Sequence, residues 1–267
     1  MTDDDHEQYL DAGRMTLWEH IAELRTRLVR CCIAVGLGMA VGWMLYLPLL
    51  DFLKAPLKEL AYTDQNGVLQ NIGEHFYAVD PLETFATRIK ISAYCGIVLA
   101  MPVLLWQIWR FVTPGLYPKE KRYAIPFVVS ALLLFAFGAF IAYVTLTPAL
   151  NFLIGVGGGE VTPIYSVDNY VTLIAYMMLA FGAGFEFPVL LVALQMVGVL
   201  TPRKLLGWWR QAVVVIAIVA AVITPSADPI SMAALAVPMF LFYLIAMVIG
   251  FVVTRRRRKR EAKAARA

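Results

Sequence analysis

Six stretches of this chain carry no Asp, Glu, Lys or Arg: 31–50, 91–109, 123–159, 169–185, 211–227 and 229–254. No other feature restricts the fold as strongly. A helix needs about 20 apolar residues to cross the ~30 Å hydrocarbon core of a bilayer, and closed backbone hydrogen bonding leaves helices as the natural spanning element for such runs. Four of the stretches reach or nearly reach that length, and the third is long enough for a span and a loop. The fifth is short, so its helix is marginal or the bilayer thins around it. Composition agrees, with 60% hydrophobic and 16% charged residues against about 25% charged in soluble domains. The reading is an all-α membrane protein with six transmembrane helices.

Basic residues orient those helices, because cytoplasmic loops retain Lys and Arg. Alternate extramembrane segments carry 19 basic residues on one face and 4 on the other. The face with 19 is read as cytoplasmic, which puts both termini inside. The chain opens on Asp3, Asp4, Asp5 and Glu7, unlike the positive start of a cleavable signal peptide. Three segments follow: an acidic cytoplasmic tail over 1–15, a six-helix transmembrane domain over 16–254, and a basic cytoplasmic tail over 255–267. The run from Arg255 to Arg260 suits a topology anchor that also meets lipid headgroups, and nucleic acid is not expected as a partner. Cys31, Cys32 and Cys95 fall in or beside apolar runs; buried small residues and a redox or palmitoylation site are both open readings.

Several local patterns carry more than hydropathy. Thr16 to Leu28 reads as an amphipathic helix on the cytoplasmic surface. Thr16 and Glu19 form a capping box, and Leu17, Ile21, Leu24 and Leu28 form one stripe. His20, Glu23 and Arg27 share another face, where Glu23 and Arg27 suit a helix ion pair. The long first external segment, 51–80, is punctuated by Pro56 and by the turn signal Asn66-Gly67. It ends in Asp80-Pro81-Leu82-Glu83, with Asp at the cap, Pro in first helical position and Glu in the third. Glycines at 155 and 157–159 mark a flexible second external loop.

Between the second and third spans, residues 110–122 form a short cationic loop. Pro114-Gly115 and Pro118 restrict its turns, and Glu120 is its sole acid, set among Lys119, Lys121 and Arg122. The fourth span, taken as 171–200, carries Glu186 near its middle, about 20 Å from either end. A carboxyl at that depth costs several kcal/mol if ionised and unpaired, so it faces protein or a wet groove. Pro188 follows it and can kink the helix.

These patterns together resemble the C subunit of the twin-arginine protein translocase. His20-Ile21-Ala22-Glu23-Leu24-Arg25-Thr26-Arg27 is similar to that family's N-terminal signature, with Ile21 in place of Leu. Pro81-x-Glu83-x-Phe85, Phe111-x-x-Pro114-x-Leu116-x-x-x-Glu120, Phe185-Glu186-x-Pro188 and Thr224-Pro225-x-x-Asp228 follow in the family's order. The resemblance implies a cup-like, six-span bundle with short fifth and sixth spans. It implies a receptor that binds Arg-Arg signal peptides and exports folded proteins using the proton-motive force. On that reading Glu120 and Glu23 receive the signal arginines, with His20, Arg25 and Phe111 in the same patch, while Glu186 marks partner docking. Pro56, Asp80, Pro81, Pro114, Pro188 and Asp228 set structural turns. The partners implied are single-span translocase subunits of the TatA and TatB type, signal peptides, the bilayer, and further copies of the chain in a homo-oligomeric receptor complex. No cofactor or metal is implied.

The chemistry fits. A guanidinium presents a planar fork to a carboxylate, which an ammonium cannot reproduce. Surrounding Lys and Arg hold such carboxylates ionised. The competing class is a small-solute or ion secondary transporter, which would place several ionisable residues in its spans or show repeat symmetry; Glu186 alone lies deep, and no repeat is evident. An enzyme is not expected, since no metalloprotease, serine-hydrolase or nucleotide-binding motif occurs.

Overall fold

The structure is a computed structural model that describes residues 17–58, 60–63, 69–71, 80–112, 124–156, 166–197, 199–225 and 228–264. Nine helices and a small hairpin appear among them. In chain order these are α1 (Leu17–Met44), α2 (Tyr46–Lys58), β1 (Ala61–Thr63), β2 (Leu69–Asn71), α3 (Pro81–Val112) and α4 (Ala124–Val156). They continue with α5 (Val167–Phe185), α6 (Phe187–Val197), α7 (Pro202–Gly207), α8 (Trp209–Ile223) and α9 (Pro229–Ala264). Among the described residues five segments are long and apolar enough to cross a membrane: Ile21–Met44, Pro81–Arg110, Ile125–Val156, Val167–Gln195 and Pro229–Val252; α8 is a shorter apolar helix.

Small residues make the tightest seam. Gly38 and Gly42 on α1 face Gly96, Cys95 and Ser92 on α3, and a methyl group added at Gly96 would sit 2.7 Å from the Met39 nitrogen. Four-residue spacing of small side chains lets two helix backbones approach when water cannot drive them together. The seam also fixes direction, since Arg27 meets α3 at Gln107 and Arg110 while Arg88 meets α1 at Trp43. The two helices are therefore antiparallel. One end of the bundle, the N-terminal end, gathers the start of α1, the close of α3 and the start of α4. The other, the hairpin end, gathers α2, the strands and the start of α3.

Helix α5 is the hub. Tyr170, Val171, Ile174, Met177, Phe181 and Phe185 are buried against α2, α4 and α9. Phe137, Phe185 and Phe242 form a ring cluster with centroids 5.5–6.4 Å apart.

The structure revises four expectations. The amphipathic segment before span one is no separate surface helix; it runs unbroken into the span as the first turns of α1. Its leucine stripe points outward, with Ile21, Leu24 and Leu28 half exposed or more, while Glu23 and Arg27 face α3. That is the amphipathicity of a helix in lipid, where the apolar face is the solvated one.

Pro56, expected in a turn, lies inside α2. Its missing N–H leaves the Phe52 carbonyl without its helical donor, and the Tyr143 hydroxyl donates to that oxygen at 3.1 Å. The sixth span is not short, since its apolar part covers 24 residues of the 36-residue α9. The fourth span starts earlier and stops sooner than expected, and it is broken at Glu186. The strands were not expected, although the turn signal Asn66-Gly67 lies between them, outside the described residues; β1 and β2 pair antiparallel from Ala61–Asn71 to Thr63–Leu69.

Candidate functional site

Among the described residues three polar groupings stand out in a largely apolar bundle. At the N-terminal end, Glu23 and Arg27 form an i,i+4 ion pair on α1. Arg27 is the more buried partner, at 11% side-chain exposure against 26%. Its guanidinium also donates to the Gln107 carbonyl at 3.4 Å and to the Arg110 carbonyl at 3.2 Å. Carbonyls in the last turn of a helix have no intrahelical donor, so the Arg110 contact caps α3. The result is a carboxylate, Glu23, held beside the helix end from which the cationic loop departs. Arg25 points to the outside. Sequence reading paired Glu23 with Arg27 but missed the bridge to Gln107, because i,i+4 spacing carries no information about the neighbouring helix.

Glu186 forms the second grouping. It terminates α5, its backbone N–H donating to the Ala183 and Gly184 carbonyls, and α6 restarts at Phe187 with Pro188 next. Proline suits the first turn of the new helix because its absent N–H would be unpaired there. Measured along the axis, Glu186 lies 19 residues after Val167 and 9 before Gln195, roughly 28 and 14 Å. It is therefore off-centre, displaced toward the N-terminal end from the mid-span position expected.

The side chain lines an apolar groove of about 530 Å³ with Met101, Leu105 and Trp109 of α3, Phe127 of α4 and Leu190 of α6. Trp109 and Phe127 close one wall with ring centroids 4.3 Å apart. Among the described residues Glu186 Oε1 is buried with no hydrogen-bond partner. A polar atom in that condition costs free energy until a donor arrives.

At the hairpin end the third grouping is saturated. Lys90 Nζ lies 2.6 Å from Asp168 and 3.3 Å from the Thr172 hydroxyl. The buried Thr87 hydroxyl reaches the other Asp168 oxygen at 3.1 Å. Glu83, at the third position of α3, accepts from the Ser166 hydroxyl and from the Asp168 amide at 3.1 Å, so it caps α5 across the helix interface. Asp80 caps its own helix, accepting from the Leu82 amide at 2.8 Å, ahead of Pro81. Asp228 accepts from the Ser231 amide at 2.7 Å at the start of α9. The cross-helix cluster escaped sequence reading, although Glu83, Thr87 and Lys90 at +4 and +3 spacing were a visible signal.

Of the other expected site residues, Glu120 and Pro114 lie outside the described residues. His20 and Phe111 fall within α1 and α3, but their side chains lie outside the described set. Among the described residues no group of three or more His, Cys, Asp or Glu converges as a metal site would require.

Long apolar helices bearing polar groups at helix ends and one carboxyl within a groove define a multi-pass membrane protein. The chain belongs to the family of the Sec-independent protein translocase protein (TatC), whose model matches residues 19–238. The TatC protein of Aquifex aeolicus is 35% identical over 248 residues, covering 92% of this chain and 98% of that one. That of Frankia casuarinae is 36% identical over 251 residues, covering 92% and 68%. The chloroplastic TATC protein of Arabidopsis thaliana is 36% identical over 239 residues, covering 89% and 67%. A crystal structure of the twin arginine translocase receptor TatC matches with a TM-score of 0.70 at 35% identity, over 88% of this chain and 100% of that one. This protein is thus a component of the twin-arginine, Sec-independent protein translocase, and it is not an enzyme.

Proposed function

We propose that this chain is the core receptor subunit of its translocase, binding Arg-Arg signal peptides through Glu120 and Glu23 at the N-terminal end of the bundle. The observation that carries the reading is the Arg27 bridge. It fastens Glu23 to the close of α3, one turn from the loop that contains Glu120. Two acids on one surface would each take one guanidinium, with His20, Arg25 and Phe111 around them. Because Arg27 already engages Glu23, a signal arginine there shares or displaces it, which makes Glu120 the stronger contact of the two.

The chain crosses the membrane six times, with α8 as the short fifth span, and both termini lie in the cytoplasm of a bacterial cell with an acidic tail over 1–15 and a basic tail over 255–267. The 19-to-4 split of basic residues supports this orientation. Cysteines introduced at Gly67, Gly158 and Ala227 should react with an impermeant thiol reagent from outside, and ones at Gly115 and Gly207 should not. Single-span partner subunits dock in the groove beside Glu186, further copies of the chain complete the receptor complex, and the proton-motive force drives export, where one charge crossing 100 mV gains about 2.3 kcal/mol. Binding of an Arg-Arg signal peptide to the purified protein, compared with Glu120→Ala, tests the recognition step.

A further inference from the structure

We propose that α7, the beginning of α8 and the emerging end of α9 form a ledge that binds anionic phospholipid headgroups. The ledge is built. Thr201 caps α7, accepting from the Lys204 amide, and Pro202 and Leu205 are buried beneath it. The Tyr243 hydroxyl donates to the Leu205 carbonyl, the Gln195 amide donates to the Ala246 carbonyl at 3.1 Å, and Pro202 closes on Gly250. These contacts hold α7 and the end of α6 against α9 at the level of residues 243–250, just before the apolar part of α9 ends at Val252.

Everything facing outward from the ledge suits a headgroup above and acyl chains below. Arg203, Lys204, Arg210 and Arg255 are exposed, and among the described residues none has a carboxylate partner. Trp208 and Trp209 are 51% and 46% exposed, the side chains that settle at a membrane interface. The Arg210 guanidinium lies 5.4 Å from the Trp209 ring centre, which keeps the fork at that level. Leu206, Val213 and Val214 offer exposed apolar surface for chains. Residues 187–227 contain no Asp or Glu, and none occurs from 229 to 260. The positive charge is therefore uncompensated along both segments. Arginine forks bind phosphate bidentately, and a topology anchor would need neither the tryptophan pair nor the packed turn.

The test uses the full chain in phosphatidylcholine bilayers doped with spin-labelled phosphatidylglycerol or spin-labelled phosphatidylcholine, reading the motionally restricted fraction of each. Wild type should prefer the anionic lipid several-fold at low salt, with about fivefold available per cation near the surface. The triple variant Arg203→Gln, Lys204→Gln, Arg210→Gln should bring the preference close to one. The charge-preserving pair Arg203→Lys, Arg210→Lys should retain more than half of it, which separates loss of charge from misfolding. Truncation after Arg255 should leave most of it. Equal restriction of both lipids by wild type, full preference in the triple variant, or complete loss on truncation alone would each overturn the proposal.

Discussion

Asp168 and Glu186 sit at opposite ends of α5 and live in opposite circumstances. Asp168 has Lys90, Thr87 and the capping contacts of Glu83 around it. Glu186 has a groove of apolar walls and one buried oxygen with no partner among the described residues. A saturated network is a fastening: its members hold α3 against α5, and opening it leaves stranded polar groups. A carboxyl left unsatisfied where burial is expensive is poor design for stability, and its position at a helix break, beside room for a side chain, suits a group that waits for a donor from outside the chain.

That contrast is breakable in graded steps. The largest effect is expected from Asp168→Ala, which deprives Lys90 of its counter-ion and removes its side-chain ties from α3 to the start of α5, while the Thr87 hydroxyl keeps the Glu83 carbonyl as acceptor at 2.8 Å; unfolding in detergent should lose about 1–3 kcal/mol. Lys90→Gln should cost less, about 1 kcal/mol, because Lys90 is 40% exposed and screened. Glu186→Leu should cost no stability, and should add some, by removing the unsatisfied oxygen, while export fails for want of the polar contact. Glu186→Gln should retain partial export, since the amide keeps hydrogen-bonding capacity. If Glu186→Leu destabilises the protein as much as Asp168→Ala does, both carboxyls are fastenings and the distinction collapses.

Much of the bundle was legible because lipid imposes a one-dimensional rule: charge-free runs of sufficient length become helices, and five long apolar segments and one short helix follow. Helix starts governed by local chemistry were readable too, as Asp80 and Pro81 show. Features that depend on another helix were not. The Gly38, Gly42 and Gly96 seam, the Arg27 bridge and the Glu83–Asp168 cluster pair residues about 50 to 85 positions apart, and periodicity is blind to such distances. Pro56 misled because a proline ordinarily ends a helix, whereas here a tyrosine from α4 satisfies the carbonyl it frees. The leucine stripe of α1 was legible as a stripe, but its continuity with the first span was not, since a hydrophobic face does not say where its helix ends.

Arginine recognition is the centre of the functional reading, and binding of signal peptides to the purified protein in nanodiscs tests it most directly. Glu120→Ala should weaken an Arg-Arg peptide by about 1.5–3 kcal/mol, roughly 10- to 150-fold, the worth of a charge-assisted hydrogen bond. Glu120→Lys should be worse through added repulsion, and a Lys-Lys peptide should bind wild type poorly and lose little more on Glu120→Ala. Equal losses for the Arg-Arg and Lys-Lys peptides would contradict the account, because Glu120 would then shape its loop without reading the arginine.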